Sequence, residues 1–272
     1  MTTEKIHIMS VEGAVELDLA AVKGQVRIAV DPNAVFARLR VHTAAAEGPA
    51  ADAVRATEIG EYGGKLSVSV PEPAATGGIV IGGNSFGGGT AVFNGSFVSG
   101  GTAVGDGDIW IGGRPIVVDG RVVVPQGTVV TGGSETISVD VVLPAGSSSS
   151  VQTKHAETTV RGAALKTLRF RAHNGSLKAT RADVLDAVTH NGSVLVETVD
   201  TELEASTHNG SITIGEYHGR CASVRTHNGN ASVAASPAST GRLTARTHNG
   251  NIHLVSAGHL DLETSTHRGR IW

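Results

Sequence analysis

Apolar and polar residues alternate with period two along much of the chain. The segments Lys-Ile-His-Ile-Met (5–9), Ala-Val-Glu-Leu-Asp-Leu-Ala (14–20), Gln-Val-Arg-Ile-Ala-Val (25–30) and Phe-Ala-Arg-Leu-Arg-Val-His-Thr (36–43) each set apolar side chains two apart. That spacing is the mark of half-buried strands. One stretch, 49–56, breaks the alternation with Pro-Ala-Ala-Asp-Ala-Val-Arg-Ala. Proline at the first position suits a helix start, so a short helix is expected there. Gly63-Gly64 then turns into another alternating run at 65–70. Residues 1–70 therefore predict a β-rich head with one short helix.

Residues 134–272 open on an alternating strand, 137–143, ended by Pro144-Ala145-Gly146. A repeat follows. His-Asn-Gly occurs at His173, His190, His208, His227 and His248, and His267 heads a sixth copy as His-Arg-Gly. The spacings are 17, 18, 19, 21 and 19 residues, and a period near 20 signals stacked structural units. With each histidine as position zero, position −5 is Leu168, Leu185, Leu203, Ala222, Leu243 and Leu262. Position +4 is Leu177, Val194, Ile212, Ala231, Ile252 and Ile271, and apolar residues recur at −3 and +6. Position −4 carries Asp186, Glu204, Ser223, Thr244 and Glu263, which should face water. Two short strands thus flank each Asn-Gly, with alternate residues on one core. The four inward side chains of one unit cannot offset the ordering of nearly twenty residues, so neighbouring units must share a core.

Two geometries satisfy this pattern. Asn-Gly between alternating strands is a strong hairpin signal, and in an antiparallel meander the same residues would share a face. A parallel β-solenoid (β-helix or β-roll-like) of about 18–20-residue rungs repeats both strands and both turns in every unit, as the sequence does. The fold class expected is all-β, with such a solenoid behind the β-rich head.

The motifs add a resemblance. Leu143-Pro144-Ala145-Gly146 is followed by Thr189-His190-Asn191-Gly192-Ser193-Val194, Thr207-His208-Asn209-Gly210-Ser211-Ile212, Thr226-His227-Asn228-Gly229-Asn230-Ala231 and Thr247-His248-Asn249-Gly250-Asn251-Ile252. This layout resembles the putative-adhesin β-strand-repeat family of bacterial proteins, with its tandem Thr-x-x-Gly-[Asp/Ser/Asn]-[Val/Ile] units. The match covers residues 134–272 well and 1–70 loosely. The resemblance implies a parallel β-solenoid and an adhesin-like role, and it carries no catalytic residues over.

Between these regions, residues 71–133 hold 18 of the 36 glycines and depart from that layout. Short apolar stretches at 79–81, 91–93, 108–111 and 121–124 punctuate them, which favours irregular β turns over a flexible linker. Phe86, Phe93, Phe97 and Trp110 are expected to be exposed as a contact surface, or else to fill a sparse local core.

Composition narrows the function classes. Apolar residues make up 40% but aromatic ones only 3%, so apolar content comes from the aliphatic side chains that suit strands. The net charge of −3 and the lack of a basic block argue against nucleic acid as a partner. Cys221 is the single cysteine, which rules out an intrachain disulfide, and its place among apolar positions suggests a buried small hydrophobe. The N-terminus does not read as a signal peptide and no apolar run is long enough to span a membrane as a helix. A cytoplasmic chain is expected, with export independent of a cleavable signal as the alternative.

The histidines are the candidate chemistry. The simplest reading is structural: Asn and Gly in a turn with positive φ, stacked Asn side chains bonded along the column, and Thr, His and Ser or Asn columns beside them. A metal-binding reading points to His190, His208, His227 and His248, although one imidazole per rung in one orientation does not converge as a tetrahedral site requires. A third reading is a response to pH, since stacked imidazoles resist simultaneous protonation. No phosphate-cradling Gly-x-Gly-x-x-Gly leads into a helix, and Gly-x-Ser-x-Gly and His-Glu-x-x-His are both missing, so no cofactor and no catalytic residue is expected. The last unit, Thr266-His267-Arg268-Gly269-Arg270-Ile271-Trp272, puts arginines in place of Asn and of Ser or Asn. Arg268, Arg270 and Trp272, with Trp110 in the insert, are the candidate binding surface. The function expected is a non-enzymatic scaffold that engages a protein, a polysaccharide or a second copy of itself through the solenoid surface or its C-terminal rung. The alternatives are a polysaccharide-acting β-helix enzyme and a metal-binding protein built on the histidines.

Overall fold

The computed structural model describes residues 2–74 and 136–272 throughout, and between them the backbone of six short strands. The chain divides into two compact units, 1–73 with 136–272, and 74–135. In the first unit the strands β1 (Thr3–Glu12), β2 (Glu16–Asp31) and β3 (Phe36–Thr43) precede the helix α1 (Pro49–Arg55), and β4 (Glu58–Tyr62) and β5 (Lys65–Val70) follow it. The second unit holds β6 (Ala91–Phe93), β7 (Ser96–Ser99) and β8 (Thr102–Val104) as one antiparallel sheet. Its β9 (Ile109–Ile111), β10 (Arg114–Val118) and β11 (Arg121–Val122) form another. The side chains of Phe86, Phe93, Phe97 and Trp110 lie outside the described residues.

The first unit continues with β12 (Ser138–Pro144), β13 (Ser148–Gly162), β14 (Leu165–Ala172), β15 (Leu177–Asn191) and β16 (Val194–Asn209). The last strands are β17 (Ile212–Tyr217), β18 (Cys221–Asn228), β19 (Ala231–Ala235), β20 (Arg242–Asn249), β21 (Ile252–Val255) and β22 (Asp261–Arg268). Its strands form one mixed, 16-stranded sheet that is not closed. Antiparallel pairing is confined to the N-terminal part, where β3 lies between β1 and β12 and β4 pairs β5. β2 is the junction, with β12, β13 and β5 all parallel to it. Gly24 sits in its middle because a Cβ there would lie 2.1 Å from the carbonyl oxygen of Ile137. The helix begins at Pro49, buries Ala50, Ala51, Ala53 and Val54, and packs on β1 and β3.

From β13 onward every pairing is parallel, and like pairs with like one repeat away. Leu168 pairs with Leu185, Leu185 with Leu203, Leu203 with Ala222, Ala222 with Leu243 and Leu243 with Leu262. On the other side of the turn, Leu177 pairs with Val194, Val194 with Ile212, Ile212 with Ala231 and Ala231 with Ile252. The long strands β15 and β16 each contribute one half to either ladder, which is why β16 pairs both β17 and β18. The Asn-Gly pairs therefore join two parallel ladders and close no hairpin. The inward residues of both ladders belong to one hydrophobic core with those of β2, β3, β5 and β12. Tyr217 is the largest fully buried side chain among the described residues, and burial pushes its hydroxyl pKa up. Its Oη donates to the carbonyl of Thr201 at 3.4 Å.

The sequence placed Cys221 in the core, but the structure places it at the surface. Alternation explains the difference: Ala222 at position −5 points inward, so its neighbour must point out.

Parallel stacking also explains the repeat glycines. A Cβ on Gly210 would sit 2.1 Å from the carbonyl oxygen of Gly192, against backbone that cannot yield. Gly210→Ala is expected to lower stability by about 3 kcal/mol through forced separation of two rungs. Gly258→Ala, where nothing lies within 4 Å, should change it little. Urea unfolding of both variants checks this, and equal midpoints would refute the packing argument.

Candidate functional site

The six turns build a face of aligned columns. At position −1, the hydroxyls of Thr189, Thr207, Thr226, Thr247 and Thr266 donate to the carbonyls of Gly175, Gly192, Gly210, Gly229 and Gly250, at 2.9 to 3.1 Å. At +1, the amide of Asn191 donates to Asn174 Oδ1, Asn209 to Asn191, Asn228 to Asn209 and Asn249 to Asn228, at 2.7 to 2.8 Å. At +3, the side-chain oxygens of Ser176, Ser193, Ser211, Asn230 and Asn251 accept the backbone N–H of the next unit. The turns from His173 to His248 are thus tied each to the next by three side-chain bonds, and the last pair of turns by two. The expectation of positive φ fails at every Asn of these turns and, Gly229 at 158° apart, at their glycines. Ser256 is the one non-glycine residue with positive φ among the described residues. Glycine is required here by the approach of the neighbouring carbonyl, and Asn by the amide row.

The imidazoles form the outermost column. Centroid separations are 5.1 Å for His173–His190, 5.0 Å for His190–His208 and 4.7 Å for each later pair through His267. Interplanar angles stay at or below 16°. All six are exposed. His155 extends the column by one rung but turns edge-on to His173, 6.4 Å away at 72°, and its Nδ1 accepts the Asn174 amide. Sequence reading missed His155 because no Asn-Gly follows it, although its spacing of 18 to His173 fits the period. The metal candidates His190, His208, His227 and His248 stand with rings parallel, so their nitrogens point side by side. Among the described residues no group of three or more His, Cys, Asp or Glu is placed to hold an ion. The pKa of His248 is lowered, first by partial desolvation between its neighbours, then by repulsion from His227, His267 and Arg268.

Beside this face, positions −6 and −4 line a groove of about 560 Å³. Asp186, Glu202 and Glu204 enter it together with Arg169, Arg225 and Arg242. Asp186 is held by Arg171 at 2.5 Å and Arg242 by Asp261 at 2.8 Å. Among the described residues Glu202, Glu204, Arg169 and Arg225 have no ion-pair partner. The −4 acids Asp186, Glu204 and Glu263 read from the sequence as facing water. The parallel register brings two of them, Asp186 and Glu204, together with Glu202, since Asp186 pairs with Glu204 and Glu202 precedes Glu204 by two on β16.

The last rung places Arg268, Arg270 and Trp272 at the surface. Arg268 pairs in register with Asn249, yet the Oδ1 of Asn249 is buried without a hydrogen-bond partner. Trp272 is 55% exposed and tilts against His253, at 5.7 Å, rather than covering the rung. Leu262 and Ile271, at core-facing positions, stay 40% and 45% exposed. Trp110 lies on β9 of the other unit, with its side chain outside the described residues. No helix among the described residues is long and apolar enough to cross a membrane.

Two outcomes follow from this geometry. Arg268→Asn should give Asn249 Oδ1 its missing donor and raise stability by about 1 kcal/mol, read by urea unfolding. A lower or unchanged midpoint would show that the amide row ends at Asn249 by design. The second concerns pH. Because the folded pKa of His248 lies below its ordinary value near 6.5, the unfolded chain binds more protons between the two values. Stability should fall as pH drops through that window and level off below it. His248→Gln should shrink the loss, and equal denaturation midpoints at neutral and mildly acidic pH would contradict the assignment.

No family model matches the chain, and no curated protein matches it. Three solved structures are similar to it at 10% identity. One is a putative cell adhesion protein from Clostridium sporogenes, covering 100% of this chain and 98% of that one with a TM-score of 0.38. The second is a putative adhesin from Bacteroides fragilis, covering 99% and 96% with a TM-score of 0.39. The third is a putative lipid binding protein from Parabacteroides distasonis, covering 99% and 97% with a TM-score of 0.41.

Proposed function

We propose that the chain is a non-enzymatic, adhesin-like binding scaffold. Its repeats form a parallel β-solenoid of the putative-adhesin β-strand-repeat type over residues 134–272, behind a β-rich head (1–70) and a glycine-rich insert (71–133). It engages a macromolecular partner, or a second copy, through the solenoid surface or the rung bearing Arg268, Arg270 and Trp272. The observation that carries this reading is the turn face. Six rungs present a histidine in register, and those of His190, His208, His227 and His248 set Thr, Asn and Ser or Asn beside it, so a contact made at one rung is offered again at the next. Repeated weak contacts suit an extended partner and give a small metabolite nothing to be enclosed by.

A second reading, a polysaccharide-acting enzyme, is favoured by the gathering of Asp186, Glu202 and Glu204 in one groove. Glycoside hydrolysis needs two carboxyl groups flanking the scissile bond. Here Asp186 is held by Arg171, and Glu202 and Glu204 rise from one strand on the same side. The groove also carries three arginines.

One experiment separates the readings. The immobilised chain is offered a panel of neutral and acidic polysaccharides, and its mass in solution is followed by light scattering. Retention of a polymer without new reducing ends supports the scaffold. So does a concentration-dependent mass that is lost on deleting Ile271 and Trp272. New reducing ends that disappear in Glu202→Gln or Glu204→Gln would establish the enzyme instead, and a monomer that retains nothing would falsify the scaffold.

A further inference from the structure

The turn face has a charge pattern that the architecture does not require. Positions −2 to +3 of the six units comprise residues 171–176, 188–193, 206–211, 225–230, 246–251 and 265–270, and none is Asp or Glu. Within them lie the six stacked histidines and five arginines: Arg171, Arg225, Arg246, Arg268 and Arg270. Arg171 and Arg246 are held by Asp186 and Glu263. Arg225, Arg268 and Arg270 have no ion-pair partner among the described residues. At the first rung Lys154 is paired with Glu72, and Glu157 stands beyond His155. The other carboxylates bordering the strip are at −4: Asp186, Glu204 and Glu263. The surface is therefore a line of weak bases at 4.7 to 5.1 Å intervals, edged by arginines and free of acids.

We propose that this strip is a binding site for a linear carboxylated polysaccharide, engaged as the imidazoles take up protons. The inference rests on the scaffold reading and names its partner. Protonating neighbouring rings at this separation is opposed by like-charge repulsion, and a row of carboxylates laid along the column relieves it. Proton uptake and polymer binding must then promote each other. The hydroxyls beside the rings favour a sugar polymer over other polyanions. Ser176, Ser193 and Ser211 accept backbone N–H groups through their oxygens and keep an O–H to donate to a sugar hydroxyl. Nucleic acid is disfavoured because no Phe, Tyr or Trp stands in the strip to stack bases. Duplex phosphates, which rise about 3.4 Å each along the helix axis on one strand and wind around it, would also run out of register with the straight row of rungs.

The test titrates the full chain calorimetrically with polygalacturonate oligomers at about pH 5.5 and about pH 7.5, the range over which imidazole titrates. Dextran serves as the uncharged control, and polyphosphate and single-stranded DNA as competing polyanions. Circular dichroism confirms that the chain stays folded at each pH. Binding should be about tenfold or more tighter at the lower pH, with net proton uptake, and should weaken in high salt. The triple variant His190→Gln, His208→Gln, His227→Gln should abolish the pH dependence. Arg38→Gln with Arg40→Gln, on β3, should leave it within about twofold. The ligand should also offset the acid loss of stability in the parent chain. No binding at the lower pH, binding unchanged in the histidine variant, or equal affinity for dextran, polyphosphate or DNA would each overturn the site. Shortening of the oligomers during titration would instead overturn the scaffold reading, so the two failures are told apart by the length of the recovered polymer.

Discussion

Each Thr-His-Asn-Gly turn lies beside the next at the separation of adjacent parallel strands, and most features of the molecule follow from that spacing. In-register parallel pairing sets every residue against its own equivalent one unit later. A side chain is kept at a turn position only if it can satisfy a copy of itself. Asparagine does so because its amide donates on one side and accepts on the other. Threonine reaches the glycine carbonyl of the preceding turn, and glycine leaves room for that carbonyl. Imidazoles tolerate one another by stacking face to face at 4.7 to 5.1 Å.

The same constraint concentrates charge. Because one position repeats at every rung, a substitution pattern along the sequence becomes a line in space. Exclusion of acids from six short stretches yields an acid-free strip, and acids at −6 and −4 become a shared groove. The strip and the groove are thus neighbouring products of one register, and they point to different chemistry. The groove mixes acids with arginines, and two of its charges, Asp186 and Arg242, are paired with Arg171 and Asp261. The strip leaves its charge to protons and to whatever lies along it.

A stack is only as complete as its neighbours allow. Where Arg268 follows Asn249, the amide row stops and a buried acceptor is left unmet. At the same rung Leu262 and Ile271 hold core-facing positions with part of their surface open. At the other end His155 turns its ring and takes the first amide, and β2 leads from the parallel ladders into the antiparallel strands.

Much of the repeat was legible in the sequence. Period two named the strands, the His-Asn-Gly spacing marked the units, and aligning the units picked out the inward residues Leu168, Leu185, Leu203 and their equivalents. These follow from local rules, since which face a residue takes depends on its own strand. Other features depended on which strand lies next to which. Alternation within a strand is the same in a meander and in parallel ladders, so only pairing between distant residues could separate them. The burial of Cys221 was misjudged because a one-residue offset reverses the face. The glycines read as turn formers, but a carbonyl some 18 residues away is what requires them. Nothing local brings Asp186, Glu202 and Glu204 into one groove. The sequence by itself determined the unit and its inward face, and the tertiary structure decided the register, because only contact between units sets a residue against its own copy.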